Sequence, residues 1–342
     1  MESCRGWRHT ALAPLLEAEI LTTGMKISVL MPAYNASRTI EATIGAVLRQ
    51  TVSPWEFLIV DDGSTDNTAA IAERFAPQVK VIRTVNQGAA AARNTLCAHA
   101  AGELFAFLDA DDIWHPQHLE VHCALAARFP QAVARFSDHL NFTGYDDYRW
   151  QGQLGKSDSE LLTSLGFFQR YHKNPGPFSS MSFCSIPKST LERLGPDPFQ
   201  VNGAEDYFLF TRIALLGPIA YEPAQTVAYR FHPASLSSNK LRVVGLAVRV
   251  YEVLESEYEQ YSDKRFLSAF RRAFASKRRL YAKLLLGANE KASARNQLRR
   301  SLTNTLAPSS LIKSLGLLAF SYFPAGLRPR WPQNTRTGVV SQ

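Results

Sequence analysis

Cysteine is scarce and unpatterned. The four present, Cys4, Cys97, Cys123 and Cys184, form no CxxC pair. That excludes a disulfide framework and a zinc ribbon and fits a reducing compartment. Long apolar runs are missing too. No stretch reaches the roughly 18 uncharged apolar residues of a spanning helix, and the longest candidate, Ser314 to Leu327, carries Pro324. The N-terminus has Arg5 and Arg8 but only Ala11 to Leu16 before Glu17, too little for a signal peptide. Internal repeats and low-complexity tracts are absent. What is there, 46% apolar and 20% charged residues among 342, excludes general disorder and supplies core for one large domain with an appendage or for two modest domains.

Acidic residues are unevenly missing. Residues 241–342 hold 18 Lys and Arg against 6 Asp and Glu, whereas residues 1–240 hold 20 against 24. A tail of net +12 behind a body of net −4 assigns them different jobs, and a basic tail points to an anionic partner or to a solvated helical face.

Residues 1–24 show no period and are read as a loose N-terminal extension. From Met25 the apolar pattern alternates. Strands are expected over 26–31, 57–60, 79–82 and 104–108, and helices over 40–48, 68–75, 87–100 and 116–129, with Ser37 as an N-cap. Strands separated by helices of about ten residues mean βαβ units and a mostly parallel sheet with helices on both faces, an α/β fold. From 130 to 200 the pattern loosens. A helix over 209–216 and a strand over 227–231 follow, and then a helical C-terminal extension near 243–260, 264–286, 290–304 and 311–323. The expected division is 1–24, 25–240 and 241–342.

Ligands of such sheets bind beyond the carboxyl ends of the strands. There the chain places Pro32-Ala33-Tyr34-Asn35, then Asp61-Asp62-Gly63-Ser64-Thr65-Asp66, then Asp109-Ala110-Asp111-Asp112. Converging carboxylates repel. A hard divalent metal with oxygen ligands, or Arg93, would stabilise them. Each piece alone also reads as a turn or a helix cap, and the conjunction is what points to a site.

These blocks resemble family 2 glycosyltransferases with the GT-A fold. Ser28 to Asn35, Phe57 to Asp66, Asn86-Gln87-Gly88 with Ala92-Arg93-Asn94, Phe107 to Asp112, and Gly203-Ala204-Glu205-Asp206 match five blocks of that family in order, over residues 26–235. The resemblance implies an inverting, metal-dependent enzyme of polysaccharide and cell-envelope biosynthesis. Its donor would be a nucleotide-sugar, a UDP-sugar as is commonest in the family, and its acceptor a glycan or lipid-linked hydroxyl. By the same pattern Asp111 binds Mn2+ or Mg2+, and Asp109 assists the metal or holds the ribose. Asp62 would contact the base with Pro32 and Tyr34 packing near it, and Arg93 would brace the acidic strand ends. Asp206 would be the general base, with Glu205 its neighbour and substitute. His232, in Tyr229 to Pro233, is either a metal ligand or structural. Trp114 is read as core in preference to an acceptor platform.

Two other functions compete. A non-catalytic module for nucleotide sugars or carbohydrate would keep the strand-end residues without a base. A haloacid-dehalogenase-type phosphatase would use Asp109 as nucleophile, but Asp112 and the hundred residues before the motif argue against it. No nucleic-acid recognition motif is present. In the tail, Lys264 to Lys283 interleaves basic residues with Phe266, Phe270, Phe274, Leu280, Leu284 and Leu285. That is either an amphipathic helix on anionic lipid or a cap docked on the catalytic domain. With the apolar segment 311–327, the expectation is a cytoplasmic protein in peripheral membrane contact.

Overall fold

The computed structural model describes residues 24–145, 148–152, 154–155, 157–231, 239–261, 263–304 and 308–322. β1 (Ile27–Ala33) is the axis of the sheet. It pairs in parallel with β2 (Glu56–Asp62) on one side and β4 (Leu104–Phe107) on the other, and β2 pairs in parallel with β3 (Lys80–Thr84). Val29, Leu30, Met31, Ile59, Val60, Ala106 and Phe107 have no measurable exposure, as two covered faces require. The covering helices are α1 (Ile40–Leu48), α2 (Thr68–Glu73), α3 (Ala89–His99) and α4 (His118–Arg128).

Two local expectations are corrected. Ser37 does not cap α1. Its N–H donates to Asp66 Oδ2 (3.1 Å), and the helix starts after Thr39. Asp61 and Asp62 lie not in a polar turn but in the last two positions of β2, both 4% exposed.

Beyond β4 the sheet changes direction. β8 (Cys184–Pro187) pairs antiparallel with β4, and β6 (Ala134–Thr143) antiparallel with β8. β6 then runs parallel to β9 (Ile219–Phe231), which takes β5 (Ile113–Trp114) and β7 (Glu160–Leu162) antiparallel. The order is β3-β2-β1-β4-β8-β6-β9-β5. α5 (Ser164–Lys173), α6 (Lys188–Glu192) and α7 (Glu205–Ile213) lie in this half.

The histidines that carried no signal in the sequence build part of its core. Trp114 is 1% exposed and stacks on His118 (4.1 Å), which abuts His122 (4.3 Å). His118 Nδ1 meets Thr226 Oγ1 at 2.7 Å and His122 Nδ1 meets Ser185 Oγ at 2.8 Å. Burial, aided by Arg135, pushes His122 down to about 3, so it is neutral and structural.

The C-terminal region forms α8 (Lys240–Glu259), α9 (Lys264–Gly287), α10 (Lys291–Thr303) and α11 (Pro308–Phe320). Val248, Tyr251, Leu254 and Tyr258 of α8 and Phe266, Phe270 and Phe274 of α9 belong to the same buried cluster as β1 and β4. The apolar face of α9, which alone reads as a lipid surface, is therefore spent on protein contacts: Tyr251 stacks on Phe274 (5.0 Å) and Tyr258 on Phe270 (4.1 Å). Truncating a fully buried Phe leaves a cavity. Phe274→Ala should lower stability by about 3–5 kcal/mol in urea unfolding. A loss under about 1 kcal/mol would mean that the tail is not part of the cooperative unit.

Candidate active site

The strand ends converge around one side chain. Arg93, on the second turn of α3, is 5% exposed. Its Nη1 donates to Glu205 Oε1 and its Nη2 to Asp109 Oδ1, each at 2.5 Å. Burial opposes the charge, but Asp109, Glu205 and Asp206 hold the guanidinium pKa above its ordinary value. A planar fork with fixed donors suits two carboxylates at once.

α3 owes its position to the loop before it. Gly88 has φ +91°, and a Cβ there would lie 2.8 Å from the Asn202 side chain. Asn202 in turn accepts from Ala90 N–H (3.1 Å) and donates to Gln87 O (3.0 Å). One turn on, Asn94 exchanges two hydrogen bonds with the Phe199 backbone (2.9 and 3.0 Å). The segment 199–205 is thus fastened along α3. Sequence reasoning quoted Asn94 in a block and gave it no role, and it passed over Asn202 altogether.

Asp62 tightens the same loop. Its Oδ1 accepts from Gln87 N–H (3.0 Å) and its Oδ2 from Gly88 N–H (2.8 Å). On the neighbouring strand end, Asn35 (φ +49°) donates its N–H to Ser64 Oγ (2.9 Å) and accepts from Thr65 N–H (2.9 Å). Pro32 is half-buried in β1, and Tyr34 beside it is 51% exposed. Asp66 fixes the other side: burial opposes its charge, but the bonds from Thr68 and Ser37 together pull its carboxyl down to about 2.

The Asp109–Asp112 turn is held from three directions. Thr39, just before α1, and Thr43, one turn on, donate hydroxyls to Ala110 O (2.8 and 3.1 Å). Ser182 Oγ accepts from Asp109 N–H (3.0 Å), and Ser180 Oγ donates to Asp109 Oδ2 (3.3 Å). Arg230, near the end of β9 and 1% exposed, donates its backbone N–H to Asp112 Oδ1 (2.9 Å) and its Nε to Asp111 O (2.7 Å). Thr39, Thr43 and Ser182 were not singled out from the sequence, and Arg230 was quoted in the Tyr229 to Pro233 block without a role. The i, i+4 threonines facing a strand end were the available signal.

Negative charge exceeds positive at this edge. Burial and Asp109 push Asp111 up to about 6, and the fully buried Asp112 sits well above the carboxylate range through burial, Asp111 and Asp109.

Glu205 and Asp206 begin α7 but are treated unequally. Both Glu205 oxygens are engaged, one by Arg93 and the other by Gly203 N–H (2.7 Å). Asp206 Oδ1 accepts from Tyr207 N–H (2.6 Å). Burial first, then Glu205 and Asp109, push its carboxyl up to about 7 against the pull of Arg93. The structure thus joins Asp109, Arg93 and Glu205 by ion pairs, with Asp206 within their electrostatic reach and Asp111 and Asp62 at flanking strand ends. His232 lies outside the described residues.

Residues 28–189 match the sequence family described as Glycosyl transferase family 2. Over 224 residues the chain is 44% identical to the UDP-Glc:alpha-D-GlcNAc-diphosphoundecaprenol beta-1,3-glucosyltransferase WfgD of Escherichia coli, covering 63% of this chain and 81% of that one. Among solved structures it resembles S. aureus TarS 1–349 in complex with UDP-GlcNAc (TM-score 0.65, 18% identity, 87% of this chain and 89% of that one). It also resembles the mannosyltransferase PcManGT of Pyrobaculum calidifontis in complex with GDP-Man and Mn2+ (TM-score 0.56, 19% identity, 91% and 88%).

Removing one partner of a buried ion pair strands the others. Arg93→Met should therefore cost about 3–5 kcal/mol in denaturant unfolding, with Arg93→Lys intermediate because it keeps the charge without the fork. Equal stability of Arg93→Met and wild type would reject the bridging role.

Proposed function

The chain belongs to the family 2 glycosyltransferases, and on that footing we propose that it is an inverting enzyme transferring a sugar from a UDP-sugar to a hydroxyl of a lipid-linked glycan in cell-surface polysaccharide synthesis. The relative WfgD supports the donor and acceptor classes, since its name specifies UDP-Glc and a diphosphoundecaprenol-linked sugar.

The observation that carries the mechanism is the inequality of Glu205 and Asp206. Inverting displacement needs one carboxylate to take the acceptor hydroxyl's proton as the oxygen attacks the anomeric carbon. Glu205 has no oxygen to spare, because Arg93 and Gly203 hold both. Asp206 keeps an oxygen free of the Tyr207 bond, and a carboxyl pushed up to about 7 accepts a proton far more readily than an ordinary one. Arg93 fixes Glu205 and Asp109 in place, so the base and the donor site share one rigid support. Asp62 holds the wall of the nucleotide site through Gln87 and Gly88. Its Oδ2 retains a second acceptor position for an N–H of the base.

The donor's leaving diphosphate needs positive charge. The oxygen-only donors at the Asp109–Asp112 turn, where Asp111 is pushed up by burial and the charge of Asp109, fit a hard divalent cation such as Mn2+ or Mg2+. Asp111, assisted by Asp109, would hold it. No group of three or more His, Cys, Asp or Glu among the described residues is arranged to enclose an ion. The remaining ligands would then be donor phosphate oxygens and water, as magnesium-type sites favour. When bound, the cation supplies Lewis-acid stabilisation of the diphosphate.

The phosphatase reading needs Asp109 as a nucleophile, yet that carboxylate is ion-paired to Arg93. Family membership and a separate base disfavour the binding-module reading. A lipid-linked acceptor places the work at a membrane surface. No helix among the described residues is long and apolar enough to cross one.

Asp206→Asn should lose roughly 10²–10⁴-fold in kcat while binding donor as before; unchanged kcat would reject the base. In the wild type the base form of Asp206 fills as pH rises, so kcat/KM should climb through about 7 and that limb should vanish in the variant. UDP at a hundred times its Kd should stabilise the protein by about 2.7 kcal/mol. This shift should require Mn2+ and disappear in Asp111→Ala, whereas a metal-independent shift would remove Asp111 from the metal role.

A further inference from the structure

α11 is turned with its polar stripe inward. Ser310 and Ser314 are buried, as is Ser321 just beyond the helix. Arg279 Nη1 donates to Ser310 Oγ (2.7 Å) and Ser314 Oγ (3.2 Å), and Ser301 Oγ donates to Ser314 Oγ (2.9 Å). Leu317 and Leu318 pack inward against Ala282, Leu285, Ala294 and Leu298. The outer face carries Ile312, Leu315, Gly316 and Ala319, all exposed, with Ile312 at 69% and Leu315 at 53%; Tyr322 follows at 57%. Three of the ten exposed large apolar side chains among the described residues fall within 312–322. Scattered apolar residues on a surface need no explanation, but a cluster on one helix face marks a partner.

Charge identifies the partner. After Glu290 the sequence contains no Asp or Glu, while residues 291–342 hold eight Lys and Arg. Lys313 flanks the apolar face and is exposed, as is Arg299, whose Nη2 donates to the Tyr322 hydroxyl (3.1 Å). A second copy of the chain would bring like charges together across this face, whereas anionic phospholipid headgroups complement it. Thirteen residues are too few to span a bilayer, but an apolar face with basic flanks suits a helix lying in the interface plane.

We propose that the outer face of α11 is an in-plane membrane-contact surface that seats the enzyme on an anionic bilayer. The contact falls to α11 because the apolar face of α9 is buried. Its purpose rests on the reading of the acceptor as lipid-linked, whereas its test does not.

The full chain is floated with vesicles of phosphatidylcholine containing about a quarter phosphatidylglycerol. Wild type should float with them, weaken at high salt, and bind poorly to pure phosphatidylcholine. Ile312→Ser/Leu315→Ser, which replaces only exposed side chains, should bind at least about tenfold more weakly. Its Tm and its turnover of a water-soluble acceptor should be unchanged. Equal flotation of variant and wild type would overturn the proposal. So would a wild-type dimer, lost in the variant, that does not bind vesicles. Vesicle binding without transfer to any glycan acceptor would reject the catalytic reading and leave the surface standing.

Discussion

Everything at the catalytic edge depends on Arg93 being charged where water cannot reach it. An isolated guanidinium in that position would be prohibitively expensive. It is tolerable because Glu205 and Asp109 pair with its two terminal nitrogens, and the nearly buried Glu205 in turn relies on Arg93 and Gly203 N–H. The arrangement is mutual: the turn after β4 and the start of α7 are joined through three charges, with Asp109 16 residues and Glu205 112 residues from Arg93. A bidentate fork also fixes angle, which a lysine ammonium would not.

Around this centre the supporting contacts sort by what they immobilise. Asp62 and Asn202 fix the loop leading into α3. Thr39, Thr43, Ser182 and Arg230 fix the acidic turn after β4. Apart from Asp62 and Arg230, the latter opposing the charge of Asp111, these are hydroxyl, amide and backbone groups that hold the carboxylates in position without cancelling their charge. Catalysis by electrostatics needs such preorganisation, because dipoles that must reorganise during the reaction lose much of their benefit.

The parallel half of the sheet was legible because apolar runs, helical spacing and polar strand ends recur there within short stretches of chain. Arg93, Asp109 and Asp111 lie where that reading put them, just past a strand end or on the helix behind, and Asp62 lies at the last position of β2 itself. The antiparallel half was obscure because β6, β8 and β9 pair across long separations, and β9 is a thirteen-residue strand interrupted by polar positions. Asn202 was passed over and Arg230, though inside a quoted block, was given no role for a related reason: each matters through a partner more than a hundred residues away. The α9 stripe shows a different limit. Periodicity reveals that a helix has an apolar face but not what covers it, and only the packing of Phe270 and Phe274 against α8 decides.

The two halves of the site also come from separable lengths of gene. The groups proposed for the donor fall between Pro32 and Asp112, while the proposed base and the helices packed behind it come from Glu205 onward. Recombination between relatives could therefore exchange acceptor preference while keeping donor preference. The exchange would succeed only where the incoming segment brings an acid to meet the resident arginine and an amide to close on the glycine loop. The Arg93–Glu205 and Gly88–Asn202 contacts would act as a compatibility lock between otherwise exchangeable modules.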